Sequence, residues 1–359
     1  MRRTCGKAIT IVGLVTMVGT VNLGTAEAAR PTKPTSTTVT TTVTTTVAAP
    51  VTATSTFSMP RGLAQVSTNP WAAAQATAKG KSLGAVSYVD GQVYVGYGDW
   101  DANTGPTHVT SWSPQSGTWT DHLTADTEAI DTIRQIGDTT YVPMTDPRAN
   151  TADVARSGAW QSQPAGAGTA AFEHTFDVAE TADGLWLVGS KRDTGGALVM
   201  RSTDGGTTWT ESLLVPGINN RFYAAAVLDG VLHVQDLTSA YRFEDGAWVA
   251  APLMASSSRM HNTVSVAGRV ASVGYFTAGW LYTFDGTTST QSSETDWLAL
   301  TTSGATVYAL RSGSVVSSTD LVNWSTVTRK VPAGATSLAV GGGYLWFGTA
   351  TGGLWSSPI

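Results

Sequence analysis

The chain has 359 residues, of which 13% are charged, and its 21 Lys and Arg against 26 Asp and Glu give a formal net charge of −5. It is rich in Gly (38 residues) and Trp (13 residues). Low charge with many Gly, Thr, Val and aromatic residues is typical of short strands joined by tight turns, and it argues against a coiled coil, a helical bundle or a charged disordered chain.

Residues 1–29 are predicted to be a secretory signal peptide that directs the protein out of the cell by the Sec-type route. Basic residues precede an apolar run over residues 8–23, and the triplet Ala26-Glu27-Ala28 is typical of a cleavage site. A membrane anchor is the alternative, but the run is short and is interrupted by Gly and Thr. The single cysteine, Cys5, lies in this segment, so the secreted protein is expected to contain no disulfide.

Residues 30–57 are predicted to form a disordered stalk. They are almost entirely Thr, Val, Ser, Pro and Ala. Such a segment cannot bury enough apolar area to offset the entropy lost on ordering. Its composition suits either a passive tether or an O-glycosylated spacer.

From about residue 60 the chain repeats a unit of three strands and a Trp-bearing fourth. A two-residue turn joins the first two strands. Each turn is followed by an alternating run such as Val93-Tyr94-Val95-Gly96, which is typical of a β-hairpin. Seven such turns occur at spacings of 36 to 47 residues: Asp90-Gly91, Gly137-Asp138, Asp183-Gly184, Asp229-Gly230, Ala267-Gly268, Ser303-Gly304 and Gly342-Gly343. Residues 58–359 are therefore predicted to form an all-β, seven-bladed β-propeller of four-stranded antiparallel blades.

Tryptophans mark the fourth strand of most units and are predicted to pack between blades. Those that precede the next turn by 18 to 23 residues are Trp119, Trp160, Trp209, Trp248 and Trp324. The seventh unit ends after its third strand, whereas Trp71 lies 19 residues before Asp90. Residues 65–72 are therefore predicted to supply the last strand of the seventh blade, which closes the ring and removes an exposed sheet edge.

Two turns resemble the Asp box of sialidase-like β-propellers. They are Ser202-Thr203-Asp204-Gly205-Gly206-Thr207-Thr208-Trp209 and the shorter Ser318-Thr319-Asp320-Leu321-Val322-Asn323-Trp324. The resemblance implies the fold, and it implies structural roles for Asp204 and Asp320. It does not extend to the sialidase catalytic set of three arginines, a Tyr–Glu pair and an acid Asp. No motif assigns Arg134, Arg201, Arg221 or Arg259 to such a role, so sialidase activity is not implied.

Titratable residues recur at two positions of the repeat on one face of the predicted propeller. Six residues before the marker turn stand Asp131, Asp177, Tyr223 and His261, and nine before it stand Glu128 and His174. First strands line the central channel, so these side chains are expected at its mouth as a candidate site, or else as solvated channel ends. Asp131 and Asp177 are predicted to be functional, because two neighbouring carboxylates cost stability unless something compensates them.

A loop on the same face adds Asp99, Trp100, Asp101 and Asn103. Alternating oxygens make Asp99, Asp101 and Asn103 a weak calcium candidate, although the glycine and the glutamate of a calcium loop are missing. An Asx-rich turn is the alternative, and an exposed Trp100 would stack on a sugar ring. Elsewhere, Arg134 and Glu180 occupy equivalent positions in neighbouring units and are predicted to form a structural ion pair.

These patterns predict a secreted propeller that recognises an extracellular glycan or another polar ligand at the channel mouth. The expected ligand-binding residues are Asp99, Trp100, Asp101, Asn103, His174, Tyr223 and His261. One alternative is a glycoside hydrolase that uses a carboxylate pair among Glu128, Asp131 and Asp177, and another is a protein-interaction platform. Beyond residue 33 the chain has 16 basic and 25 acidic side chains, a net charge of −9, which disfavours nucleic acids and anionic membranes as partners. We expect a monomer without a cofactor, calcium excepted.

Overall fold

The computed structural model describes residues 56–146, 152–166, 170–255, 258–275 and 279–359. The predicted signal peptide, and all but the last two residues of the predicted stalk, lie outside these ranges. The first strand, β1 (Ala64–Thr68), precedes a single-turn helix, α1 (Pro70–Ala73). No helix within the described ranges is both long enough and apolar enough to span a lipid bilayer.

The strands form seven antiparallel sheets of four strands each, the blades of a β-propeller, as predicted. Blades 1 to 3 are β2 (Ala85–Val89), β3 (Gln92–Gly96), β4 (Thr107–Trp112) and β5 (Trp119–Ala125); β6 (Arg134–Ile136), β7 (Thr139–Pro143), β8 (Val154–Arg156) and β9 (Gln161–Gln163); and β10 (Phe172–Thr181), β11 (Gly184–Lys191), β12 (Ala197–Ser202) and β13 (Thr210–Val215). Blades 4 to 6 are β14 (Ala225–Leu228), β15 (Val231–Gln235), β16 (Ala240–Glu244) and β17 (Ala247–Ala251); β18 (Arg259–Val266), β19 (Arg269–Tyr275), β20 (Leu281–Phe284) and β21 (Ser289–Gln291); and β22 (Trp297–Ser303), β23 (Thr306–Arg311), β24 (Ser314–Ser318) and β25 (Ser325–Thr328). Blade 7 contains β26 (Ala335–Gly341), β27 (Tyr344–Thr349), β28 (Gly353–Pro358) and β1.

The N-terminal strand closes the ring, which confirms the prediction of a blade shared by the two ends of the propeller. β1 pairs antiparallel with β28, so that Ala64 lies opposite Ser356 and Thr68 lies opposite Gly353. The outer edge of β28 is thereby covered, and the backbone groups that an edge strand would expose are paired.

The closing strand is shorter than predicted, because a helix begins directly after it. The buried Asn69 caps α1: its side-chain oxygen accepts a hydrogen bond from the amide of Ala72 at 2.8 Å, and Pro70 occupies the start of the helix. Trp71 therefore lies on α1 and not on a strand, and its ring packs 5.5 Å from the ring of His108. Trp71 nevertheless packs against the buried apolar cluster between blades 7 and 1, as predicted for the tryptophans of the repeat.

Seven clusters of buried apolar side chains hold the ring together, one at each interface between neighbouring blades. Two of the marker tryptophans also join blades through hydrogen bonds. Trp119 donates to the hydroxyl of Ser67 in blade 7 at 2.7 Å, and Trp248 donates to Ser212 in blade 3 at 3.0 Å. This agrees with the predicted packing of the tryptophans between blades, since burial of large aromatic side chains dominates such interfaces.

The domain begins slightly before the predicted boundary at residue 58. The Phe57 ring contacts Trp112 edge-on at 5.2 Å, and the Phe57 amide donates to the carbonyl of Gln115 at 2.8 Å. The last residue assigned to the stalk therefore packs on blade 1.

Asp204 and Asp320 close the two hairpin turns from which the resemblance was drawn. Asp204 accepts hydrogen bonds from the amides of Thr207 and Thr208 at 3.0 and 2.8 Å, and from the Thr208 hydroxyl at 2.6 Å. These bonds hold the pKa of Asp204 well below its usual range. Asp320 accepts the amides of Val322 and Asn323 in the same way. Both carboxylates are therefore fully engaged by their own turns.

Candidate functional site

Three cavities open on the face where the innermost strands begin. The axial cavity, of about 340 Å³, is lined by residues that include Lys79, Tyr97, Trp100, Asp131, His261 and Trp297. The neck, of about 50 Å³, is lined by Trp100, Asp131, Thr145, His174, Phe176, Arg221, Tyr223 and Arg259. The lateral cavity, of about 500 Å³, is lined by residues that include Asp146, Glu173, Ser190, Arg192, Asp193, Asn219 and Arg221. The neck shares residues with both of the others, so the three cavities adjoin.

Half of the predicted site residues lie together at this mouth. Those that line the axial cavity, the neck or both are Trp100, Asp131, His174, Tyr223 and His261. Asp131 also lines a cavity of about 300 Å³ inside the channel, so it stands where the channel opens into the mouth. The predicted residues that line neither the neck nor the axial cavity are Asp99, Asp101, Asn103, Glu128 and Asp177.

Bulges in the innermost strands aim additional side chains into the mouth. The extra residues that line the axial cavity or the neck are Phe176 in β10, Leu298 in β22 and Thr336 in β26, while β10 has a second bulge at Glu173 and a bulge in β18 follows His261. Phe176 lines the neck, and Leu298 and Thr336 line the axial cavity. A bulge inserts one residue and redirects its side chain, which explains why counting back from the turns did not find Phe176 and Leu298.

Backbone contacts between blades hold the rim of the mouth in place. Isolated antiparallel bridges join Gly98 to Ala129, Ala129 to Thr145, and Thr145 to His174, so that blades 1, 2 and 3 are linked in sequence. Gly98 has a φ of +130°, and a side chain there would collide with the carbonyl of Glu128. Only glycine allows this close approach. The mouth is therefore preorganised by main-chain geometry on this side.

Aromatic and cationic side chains form a layer along one wall of the neck. The rings of His174 and Phe176 stack at 5.6 Å with an interplanar angle of 8°, and Phe176 lies 4.6 Å from Tyr223. The guanidinium of Arg259 lies 4.8 Å from the centroid of the Tyr223 ring. Arg221 and Arg259 both act on the Tyr223 hydroxyl, although burial outweighs them and raises the pKa of Tyr223. No sequence motif assigned either arginine, and the only available signal was the position of Arg221 two residues before Tyr223.

The histidines of the mouth are neutral at physiological pH. Burial, together with the charges of Arg221 and Arg192, lowers the pKa of His174 to about 3. Burial is also the main reason why the pKa of His261 falls to about 4. His174 Nδ1 is 3.0 Å from the Ser190 hydroxyl. A neutral imidazole both donates and accepts hydrogen bonds, so these rings are suited to contact hydroxyl groups.

The buried histidines predict a stability profile that can be measured directly. Burial also lowers the pKa of His233 to about 4 and lowers the pKa of His122, so four imidazoles have folded-state pKa values below the unfolded value of about 6.5. As the pH falls, the unfolded chain binds protons before the folded protein does. The contribution of these histidines to the free energy of unfolding is therefore fully present above about pH 6.5 and is lost as the pH falls through about 4. Urea denaturation midpoints across this range test the prediction, with His261→Asn reducing the slope. A flat profile down to about pH 4 contradicts it.

Asp177 belongs to a network that ties four blades together across the channel. Arg134 Nε and Nη2 each donate to a different oxygen of Asp177 at 2.8 Å. The same guanidinium donates to the carbonyl and the hydroxyl of Thr263, both at 3.0 Å. Asp177 also accepts the amides of Val178 at 2.9 Å and Ala225 at 3.1 Å. The side chain of Asp177 is buried and its oxygens are occupied within the fold.

This network changes two of the predictions made from the sequence. The ion pair predicted between Arg134 and Glu180 is wrong, because Arg134 points inward and pairs with Asp177. Repulsion between the Asp131 and Asp177 carboxylates was the reason to predict that both are functional. Arg134 neutralises Asp177, so this reason no longer applies. Asp131 is thus the one carboxylate of the predicted trio that lines the mouth.

Glu128 and the loop that contains Asp99, Asp101 and Asn103 lie next to the rim of the mouth and do not line the neck or the axial cavity. Glu128 is only 3% exposed, and the side-chain amide of Asn103 donates to its carboxylate. Asp99 accepts hydrogen bonds from the Thr77 hydroxyl at 2.7 Å and the Asp101 amide at 3.1 Å. Burial opposes the ionisation of Asp99, but these bonds and the charge of Lys79 outweigh it and lower its pKa. The hydrogen bonding is that of the alternative, an Asx-type turn.

A metal site is not evident in the part of the chain that the structure covers. Among those residues, no group of three or more His, Cys, Asp or Glu side chains is arranged to hold an ion. Asp101 instead pairs with Lys79 at 2.7 Å, and the Lys79 ammonium lies 3.1 Å from the centroid of the Trp100 ring. The loop therefore uses its charges to position Trp100.

Comparison with known proteins finds likeness in fold. No protein-family model and no curated protein sequence matches the chain. Among solved structures, a virginiamycin B lyase from Staphylococcus aureus superposes with a TM-score of 0.59 at 11% identity, over 83% of this chain and 99% of that one. YCF48 bound to D1 peptide gives 0.51 at 13% identity, over 85% and 97%. PorZ, a surface component of the type-IX secretion system of Porphyromonas gingivalis, gives 0.52 at 10% identity, over 77% and 36%. The superpositions agree with a β-propeller fold. At identities this low, they give no information about the ligand.

Proposed function

We propose that the protein is a recognition module that binds an extracellular glycan at the mouth of the propeller, in the neck and the axial cavity. The observation that carries the proposal is the lining of the neck, where Trp100, the stacked rings of His174 and Phe176, and the tilted ring of Tyr223 meet Asp131. Flat apolar faces beside a few convergent polar groups are what a sugar ring requires, since its C–H face packs on an aromatic ring while its hydroxyls form hydrogen bonds.

Glycoside hydrolysis is less well supported by the same geometry. The reaction ordinarily needs two carboxyl groups about 5–10 Å apart across the glycosidic bond. Asp131 lines the neck, but both oxygens of Asp177 are bound by Arg134, and Glu128 is buried behind the rim. The site therefore offers one accessible carboxylate from the predicted trio, which suits binding better than cleavage.

A glycan array combined with a panel of chromogenic glycosides tests this proposal. We expect binding without turnover, and we expect Trp100→Ala to weaken the best ligand about tenfold because a stacking surface is lost. Trp100→Phe should restore part of the affinity. Val322→Ala, in the turn closed by Asp320 on the opposite face, is the control for loss of an exposed apolar side chain.

The other function classes give distinct results in this experiment. Turnover of a glycoside that is abolished by Asp131→Asn would establish the enzyme alternative. Failure of every glycan, with capture of a peptide from a peptide array, would establish a protein-interaction platform instead.

A further inference from the structure

The three cavities at the mouth adjoin one another in a series across the face, and this series is the path. Arg221 lines both the lateral cavity and the neck, while Trp100 and Asp131 line both the neck and the axial cavity. The outer two, of about 500 and 340 Å³, each have the size of an ordinary small-molecule site, whereas the neck has only about 50 Å³. A single sugar would fill one cavity and leave the path largely empty. An extended ligand that passes through the neck uses all of it.

Charge is distributed unevenly along this path. Of the charged residues that the structure describes, Arg221 and Arg259 line the neck with their guanidiniums, and Asp131 lines it with a carboxylate. Burial, together with the charges of Arg221 and Arg192, lowers the pKa of His174 to about 3, in agreement with a positive potential at the neck. This patch stands out because the chain beyond residue 33 has a net charge of −9. An anionic group is therefore favoured in the neck, and its small volume admits one such group.

The two flanking cavities do not share this preference. Among the described residues, three acidic side chains line the lateral cavity, namely Asp146, Glu173 and Asp193, and they outnumber the two arginines that line it, Arg192 and Arg221. In the axial cavity Lys79 is balanced by Asp131. Like charges in a site of this kind repel, whereas carboxylates accept hydrogen bonds from hydroxyl groups. The path thus suits an anionic group at its centre with neutral, hydroxyl-rich units on either side.

We infer that the ligand is an acidic polysaccharide of alternating charge, bound as a chain with the anionic group of one sugar in the neck and neutral sugars in the axial and lateral cavities. The inference rests on the proposed function and specifies its substrate class. Arg221 and Arg259 hold the anionic group, Trp100 supports the unit on the axial side, and Asn219 contacts the unit on the lateral side.

Calorimetric titration with defined oligosaccharides tests the inference on the full chain. The probes are hyaluronan di-, tetra- and hexasaccharides, in which every second sugar is a uronate, together with hexagalacturonate, in which every sugar is charged, and neutral chitohexaose. A keratan sulfate hexasaccharide, which carries sulfate but no carboxylate, distinguishes the two sources of negative charge. We expect the hyaluronan or the keratan sulfate hexasaccharide to bind at least about tenfold more tightly than hexagalacturonate and chitohexaose, and the hyaluronan hexasaccharide to exceed the disaccharide.

Variants locate each part of the path. Arg221→Gln and Arg259→Gln should each weaken the charged hexasaccharide about tenfold and leave chitohexaose unchanged. Asn219→Gly keeps the positive φ of 74° accessible and should weaken the hexasaccharide but not the disaccharide. Arg242→Gln, which removes a guanidinium paired with Glu244 in blade 4, is the matched control and should change neither.

The possible failures of the two proposals are separable. Equal affinity for disaccharide and hexasaccharide, or binding of chitohexaose that is as tight as that of the charged chains, overturns the inference and leaves glycan binding intact. If hexagalacturonate binds more tightly than the hyaluronan and keratan sulfate hexasaccharides, the inference that charged and neutral sugars alternate in the ligand is overturned. Absence of binding by every glycan overturns both proposals.

Discussion

Deletion of residues 60–72 is expected to abolish the cooperative unfolding transition of the propeller. The deletion removes β1, which covers the edge of β28, together with α1 and the buried Asn69 and Ala72. Natural domains are stable by only about 5–15 kcal/mol, so the loss of a whole strand and of its share of an inter-blade core is enough to unfold the ring or to cause association through the open edge. Thermal unfolding followed by circular dichroism measures the effect.

The control for this deletion is removal of residues 30–55, which should leave the midpoint of unfolding unchanged. The control ends at residue 55 because Phe57 packs against Trp112. Equal midpoints for the two deletions would show that the ring does not depend on its N-terminal strand.

Asp177→Ala is expected to destabilise the protein by about 3–5 kcal/mol, the usual cost of leaving a buried partner charge unpaired. The substitution leaves the Arg134 guanidinium without the two oxygens that it binds at 2.8 Å, and it leaves the Ala225 amide without an acceptor. Urea denaturation gives the free energy of unfolding. Combining Asp177→Leu with Arg134→Met should recover much of the loss, because two apolar side chains of similar volume replace the pair.

The same experiment separates Asp177 from Asp131, which the sequence treated as equivalent. Asp131→Asn is expected to unfold at a normal midpoint and to bind neutral glycans less tightly, since the Asp131 carboxylate lines the neck, the axial cavity and the channel and accepts hydrogen bonds from hydroxyl groups. If Asp177→Asn proves fully stable and only loses ligand binding, Asp177 is a binding residue, as the sequence analysis expected.

The sequence predicted the propeller well because its turns and tryptophans report local geometry. Glycine turns such as Asp229-Gly230 and the capped turn at Asp204 are determined by residues adjacent in the chain. Counting back from these turns reached His174 and Tyr223, which both line the neck. The closing strand was also found, although the Asn69 cap ends it sooner than the position of Trp71 suggested.

The residues that form the site could be predicted less well from the sequence, because the site depends on contacts between distant segments. The bulge that turns Phe176 into the neck is a property of pairing with β11 and has no signature within β10. Arg134 finds Asp177 and Thr263 across the channel, at separations of 43 and 129 residues. Arg221 and Arg259 enter the site from different blades. Pairing of this kind requires the fold itself.

The closure of the ring also sets the order in which the protein can be completed. β1 is among the first parts of the propeller to leave the ribosome, yet its partner β28 is made last, about 290 residues later. Blades 1 to 6 each consist of consecutive strands and can pair as they are synthesised, whereas blade 7 must wait. A contact of such high sequence separation is slow to form. Until it does, β1 has no partner and the growing propeller remains an open arc, so a chain delayed at this stage presents its unpaired strand to neighbouring molecules.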